Sequence, residues 1–219
     1  MGIIESLAVA LGASFMSGLN LYGVVLMLGG LGFFGLTELP DGLQILSSPY
    51  VLAAVGLLYA AEFIADKIPG VDSLWDILHT FVRIPGGSFL AFAALDGIQS
   101  GLTDDVHFAV SLAAGGLLAA IGHGAKSGSR MILNTSPEPI TNLLASLAED
   151  VLVAFVLMFM LFKPLAFFFI FACLLVLTIW LLTKIARGLK LFVLRFMPSG
   201  NSNQEDSDEP NWALDRHSR

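Results

Sequence analysis

Apolar residues run along this chain in blocks of about twenty, the length a helix needs to cross a bilayer, and polar residues gather where the blocks end or falter. The first block covers roughly 3–31 and is interrupted by small and polar residues in "SFMSGLN" at 14–20. The second covers about 50–66, and the third is a long helical stretch from about 70 to 102, divided by Pro85-Gly86-Gly87. The fourth runs 106–126, the fifth about 140–162, and the sixth about 165–192, after Lys163-Pro164. This pattern predicts an all-α fold, a polytopic membrane helix bundle of about six spanning helices with broken or re-entrant helices at the Gly and Pro interruptions. The transmembrane domain occupies 1–197. The remainder, 198–219, is polar, acidic and poor in aliphatic residues, which predicts a disordered tail.

Composition agrees. Of the 219 residues, 56% are hydrophobic and 13% charged, where a soluble domain carries about 25% charged residues. The formal charge of −7 says little about partners, because much of the acid lies in the tail. No stretch is basic with interleaved aromatics, so nucleic acid is not an expected partner. Cys173 is the only cysteine and sits in an apolar run, as a packing residue would. The start, "MGIIESLAVALGASF", lacks a positive n-region and carries Glu5. It reads as a retained helix rather than a signal peptide.

Charge also suggests an orientation. With a cytoplasmic N-terminus, Lys67, Arg83, Lys126, Arg130, Lys184, Arg187, Lys190 and Arg195 fall at or near the cytoplasmic face. The other face holds Glu38, Asp41, Asp104 and Asp105, with Lys163 its one basic residue. The positive-inside rule then predicts that both termini are cytoplasmic.

A weak internal repeat of helical hairpins, 50–103 and 105–162, is visible. "VGLLYAAEFIADK" (55–67) resembles "GGLLAAIGHGAKS" (115–127). Pro69, Asp72, Asp76 and His79 likewise match Pro139, Asn142, Ser146 and Glu149. Transport folds are often built from such repeats.

The ionisable residues inside apolar blocks carry the functional signal, since a charge at the bilayer centre costs about 2.5–3.5 kcal/mol even on lenient scales. Helical periodicity sorts them into faces. Glu62 and Asp66 share one face, with Lys67 beside them. Asp72, Asp76, His79 and Arg83 form a stripe, His123, Lys126 and Arg130 a second, and Asn142, Ser146, Glu149 and Asp150 a third. Together they would line one polar chamber open to the cytoplasm, the acids pairing with Lys126 and Arg130. Singly, Asp66, Lys67 and Arg83 read as helix-end residues wetted by head groups. In "NTSPEP" (134–139), a helix start at Asn134 would aim N–H groups at an anion, or it is a plain cap with Pro in the first turn.

Three functions fit. The first is a small transporter or channel for an ion or small polar solute, proton-coupled because carboxylate–His chains suit proton relay. The second is a membrane-embedded metal-dependent enzyme acting on lipid head groups. For it, Asp72, Asp76 and His79 would hold a divalent ion, with Glu62 a further oxygen ligand. That spacing matches no metalloenzyme signature, and the chain lacks H-E-x-x-H, G-x-S-x-G and P-loop patterns. The third is a structural or assembly subunit. Small residues at four-residue spacing, Ala10/Ser14/Gly18 and Ala120/Gly124/Gly128, permit close helix approach within one chain or in a homo-oligomer. The expected partners are the lipid bilayer and a small solute or ion; the sequence identifies no cofactor, and catalysis is the less favoured reading.

The segments "SGLNLYG", "EFIADKIPGVDSLWDILHTFVRIPGG" and "HGAKSGSRMILNTSPEPITNLLASLAED" resemble recurring segments of the membrane family termed domain of unknown function 4126. The resemblance extends to about residue 165. It implies a multi-pass protein of the bacterial inner membrane, and implies no reaction, ligand or site.

Overall fold

The interruption at 14–20 shapes the whole molecule. The computed structural model describes residues 1–68, 71–98, 101–133 and 139–196, without the side chains of 73, 139, 142 and 191–196. Its helices are α1 (Ile3–Phe33), α2 (Pro49–Ala65), α3 (Val71–Ala94), α4 (Asp104–Leu133), α5 (Pro139–Phe162) and α6 (Pro164–Phe196), with a 3-10 segment (Asp41–Ser47) before α2. The described residues contain no strand. Residues 1–182 form one compact unit and 183–219 a second. Everything below concerns the first. The tail at 198–219 lies outside the described residues.

Helix α1 leaves helical geometry at Asn20 (φ −149°, ψ 91°). That extended backbone is what a helix N-cap adopts. The Asn20 side chain completes the cap, its Oδ1 accepting the N–H of Gly23 at 2.7 Å. The apolar run therefore contains two half-helices, 3–19 and 21–33, and the second turns back. Met1 and Gly32 line one surface cavity together with Ser47. Leu7 and Ala10 lie beside Ala91 and Leu95 at the end of α3. From the other half, Gly29 abuts the Leu46 carbonyl, and Gly42 of the same 3-10 segment abuts Ala93. A straight helix of this length would hold its ends about 45 Å apart, at 1.5 Å per residue. Helix α1 is thus a re-entrant hairpin with Asn20 at its tip.

By length and composition five helices could cross a membrane, or six if the 3-10 segment and α2, bent by 71°, count as one span. The hairpin sets which ends of the chain lie together. The N-terminus and the 34–48 connection lie at one end of the bundle, and the turn at 66–68 lies toward the other. An α1 that runs straight from one end of the bundle to the other does not fit this arrangement. Apolar length measures how much chain can enter a bilayer, but not whether it leaves on the far side. In a Cys173→Ser background, cysteines at positions 2 and 41 should label from the same side of the membrane and one at 67 only from the other. Labelling of 2 and 67 from one side would remove the hairpin.

The hairpin is the core. Val9, Phe15, Met16, Val24 and Leu28 are fully or almost fully buried, with Leu157, Met160 and Phe167 from α5 and α6 packed in the same cluster. Phe15 meets Phe171 edge-on, with ring centroids 5.7 Å apart. Helix α3 runs unbroken through Pro85, so the expected division there is absent. Its Gly86 and Gly87 are contact surface instead. Gly86 lies against Leu21, and Gly87 against Ser17 and Ala119. Ser14 Oγ donates to the Gly87 carbonyl at 2.8 Å. The predicted stripe Ala10/Ser14/Gly18 is used within the chain, all three being buried. On α4 the stripe is displaced: Ser111, Gly115, Gly116, Ala119 and Gly122 are the buried small residues, whereas Ala120, Gly124 and Gly128 are half-exposed.

At the tightest crossing, a methyl group on Gly18 would strike the Ala119 carbonyl and the His123 amide nitrogen, and one on Gly122 the Phe15 carbonyl. Backbone atoms cannot swing aside as a side chain would. Gly18→Ala should therefore destabilise the protein by about 1–3 kcal/mol, the usual cost of overpacking. Gly30→Ala, which meets nothing within 4 Å, should be neutral or stabilising. Thermal unfolding in detergent compares them, and equal behaviour would contradict this crossing.

Candidate functional site: a buried ion network at the hairpin tip

The end of α2, the early turns of α3 and α5 and the later turns of α4 converge beside Asn20. Lys126 is the hub. Its ammonium lies 2.6 Å from Asp66, 3.7 Å from Glu62, 3.8 Å from Asp76 and 3.7 Å from Glu149. Deeper in the bundle, Arg83 binds Glu62 through Nη2 and Asp76 through Nη1, the latter at 2.7 Å. Toward the α2–α3 turn, Arg130 reaches Glu149 at 3.1 Å, Asp72 at 3.4 Å and the Asp66 carbonyl at 2.9 Å. Arg83 and Asp72 are completely buried, and Glu62, Asp76, Lys126 and Arg130 nearly so. Arg83 sits nine residues into the apolar span Leu74–Ala94, about 14 Å along it at 1.5 Å per residue, near the middle of a hydrocarbon core about 30 Å thick.

Polar groups tie the network to its surroundings. Arg83 can only donate, so His123 Nδ1, 3.3 Å away, accepts. Its Nε2 then carries the proton and donates to Thr80 Oγ1 at 2.7 Å, while the Thr80 hydroxyl donates to the Asp76 carbonyl at 3.1 Å. His123 is thereby held neutral. His79 is arranged oppositely. Its Nδ1–H donates to the Trp75 carbonyl at 2.9 Å, leaving Nε2 to accept from the Tyr22 hydroxyl at 3.1 Å. His79 is stacked on Trp75 and half-exposed. At the tip, Asn20 Nδ2 donates to Asp150 Oδ1 at 2.8 Å. Lys67, in the turn after α2, packs over the Phe63 ring and reaches Ser146 Oγ at 3.5 Å. Burial pushes its ammonium down from the ordinary lysine value, with Asp150 and Asp66 opposing.

Of the residues that spacing grouped, the structure gathers Glu62, Asp66, Lys67, Asp72, Asp76, His79, His123, Lys126, Arg130, Ser146, Glu149 and Asp150. Asn134, the side chain of Asn142 and the "NTSPEP" segment up to residue 138 lie outside the described residues. The chamber is filled by its own ion pairs rather than open. Asp72, Asp76 and His79 do not converge on a metal position: they turn to Arg130, Arg83 and Tyr22 respectively. Among the described residues no group of three His, Cys, Asp or Glu side chains is placed to hold a metal ion. Helical spacing put them on one face, but Asp72 and His79 stand about 10 Å apart along the axis at 1.5 Å per residue, and each turns to a different partner. Arg83, readable as a helix-end residue, is instead the deepest cation. Asn20, Tyr22 and Thr80 join from positions that no charge marked.

The charges do not balance. Glu62, Asp66, Asp72, Asp76 and Glu149 face Arg83, Lys126 and Arg130, an excess of two carboxylates. Adding Asp150 and Lys67 at the margin leaves the excess at two. Glu62 Oε2, Asp66 Oδ1 and Asp76 Oδ2 are buried with no hydrogen-bond partner among the described residues. Each uncompensated buried ion costs several kcal/mol, so this site favours something positive being added to it.

No curated protein and no solved structure matches the chain. A family model does match, over residues 7–184, which takes in the hairpin, the whole network and nearly all of the first unit. The chain, an apolar multi-helix protein of membrane type, belongs to the family described as domain of unknown function (DUF4126).

Proposed function

We propose that this protein is a small proton-coupled transporter, or a channel, whose buried ion network binds and passes protons at the tip of the re-entrant hairpin. One observation carries the reading: a net-negative cluster buried deep in an apolar bundle, with three carboxylate oxygens lacking partners. Intramembrane ionisable groups mark ion pathways by default. Irregular backbone at membrane depth belongs where it lines such a site, and Asn20 supplies it. Protons suit the excess better than metal ions, because the oxygens are spread among three cations and are not gathered around one point. His79, half-exposed and bonded to Tyr22, is the group from which a proton would enter.

The orientation is read from the basic residues outside the network. Arg83, Lys126 and Arg130 are engaged with acids and say little about sidedness. Lys67 in the α2–α3 turn remains. The opposite loops carry Glu38, Asp41, Asp96, Asp104 and Asp105. The positive-inside rule then puts the 66–68 turn in the cytoplasm of a bacterial inner membrane and the N-terminus outside.

Purified protein in liposomes holding a pH-sensitive dye tests the reading, with a potassium diffusion potential as driving force. Wild type should move protons well above protein-free liposomes, and Glu62→Gln should cut the rate at least tenfold. Rates no higher than in protein-free liposomes would overturn the proposal. The network would then be a staple that fixes helix register, the role best attested for buried ion pairs.

A further inference from the structure

Beside the hairpin tip, a cavity of about 310 Å³ lies between α2 and α5 over the second half of α1. Its volume is at the low end for small-molecule sites. One end is polar, formed by Asp150 with Asn20, and the rest is apolar, formed by Leu26, Met27, Val153 and Ala154 with the Tyr59 ring. Asp150 differs from the network acids in one respect. Its carboxylate accepts from Asn20 at 2.8 Å, yet no cation lies within ion-pair distance of it among the described residues. The Lys67 amine is turned to the Phe63 carbonyl and Ser146. A carboxylate twelve residues into α5, set in an apolar wall and facing open space, calls for a positive group with an apolar body.

We propose that this cavity binds a small organic ammonium ion, the cation on Asp150 and its hydrocarbon part against Leu26, Met27, Val153 and Ala154. As the solute whose passage the network would couple to protons, it rests on the transport reading. As a binding site it stands alone. Tyr59 adds an aromatic face of the kind that attracts alkylammonium groups. The neutral Asn20 amide holds Asp150 in place without cancelling its charge. An anion or a neutral alcohol of the same size would gain the apolar contacts only.

Calorimetric titration of the full-length protein in detergent, with butylammonium and with butan-1-ol, tests this. Butylammonium should bind one per chain and raise the unfolding temperature, and butan-1-ol should do neither at the same concentration. Asp150→Asn keeps an acceptor for Asn20 and should weaken butylammonium binding at least tenfold. Leu26→Trp fills the apolar wall without altering charge, and should weaken it as well. It serves as the second probe should the Asp150 variant fail to fold. Equal binding of the alcohol, or undiminished binding in both variants, would overturn the proposal. Proton flux without butylammonium binding would sink this site and leave the transport reading standing. Binding without proton flux would uphold the site and sink the coupling.

Discussion

Lys126→Met should be among the most damaging single substitutions in this protein, at about 3–5 kcal/mol, the usual cost of removing one partner from a buried ion pair. The ammonium stands within 4 Å of Asp66, Glu62, Asp76 and Glu149 at once. Its loss raises the carboxylate excess from two to three, in a site that is almost wholly buried. Methionine nearly matches the stem in volume, so the deficit is electrostatic rather than a cavity. Asp66→Asn alone should also destabilise, by freeing Lys126 from its shortest contact. The double variant restores the original excess and should be more stable than Lys126→Met by well over 1 kcal/mol. Thermal or denaturant unfolding in detergent gives all three numbers. Strict additivity would mean that the two side chains do not interact, and would contradict the network. Adjacent residues of one network are expected to couple by about 0.5–3 kcal/mol.

The spacing of acids and bases made much of this site legible. Residues three, four and seven apart share a helix face, and lipid tolerates such a face only when another covers it. Asp72, Asp76 and His79 on α3 and His123, Lys126 and Arg130 on α4 follow from that rule alone. The pairing of Asp66 with Lys126, at 2.6 Å, joins two positions that correspond across the two similar segments 55–67 and 115–127. What periodicity cannot give is depth or direction. Arg83 looks like a helix end because Pro85 follows it, but α3 continues for nine residues past that proline. The freed backbone position is offset by the close packing that Gly86 and Gly87 allow against α1.

The hairpin was harder to read. Both halves of α1 are apolar, and a hydropathy window joins them into one crossing. The local signal is Asn20 followed three residues later by Gly23, the pattern of a side-chain cap on a backbone N–H. An asparagine in an apolar run is as readily a packing residue, and the deciding contacts, Gly29 with Leu46 and Gly42 with Ala93, are tertiary. The same geometry moves the N-terminus to the face opposite the 66–68 turn, which no count of charges could have done.

The central claim is that the buried carboxylate excess is met by exchangeable protons, and infrared spectroscopy of the purified protein at neutral pH reads this directly. Glu38, Asp41, Asp96, Asp104 and Asp105 in the loops are exposed, so a protonated carboxyl band that network substitutions remove comes from inside the bundle. The Asp150→Asn variant serves as the background, which removes the half-exposed acid beside the network core. The account predicts a carboxylic acid C=O band that shifts in D2O and loses most of its intensity in Glu62→Gln and in Asp76→Asn. A spectrum with carboxylate bands alone, or an acid band indifferent to both substitutions, would contradict it.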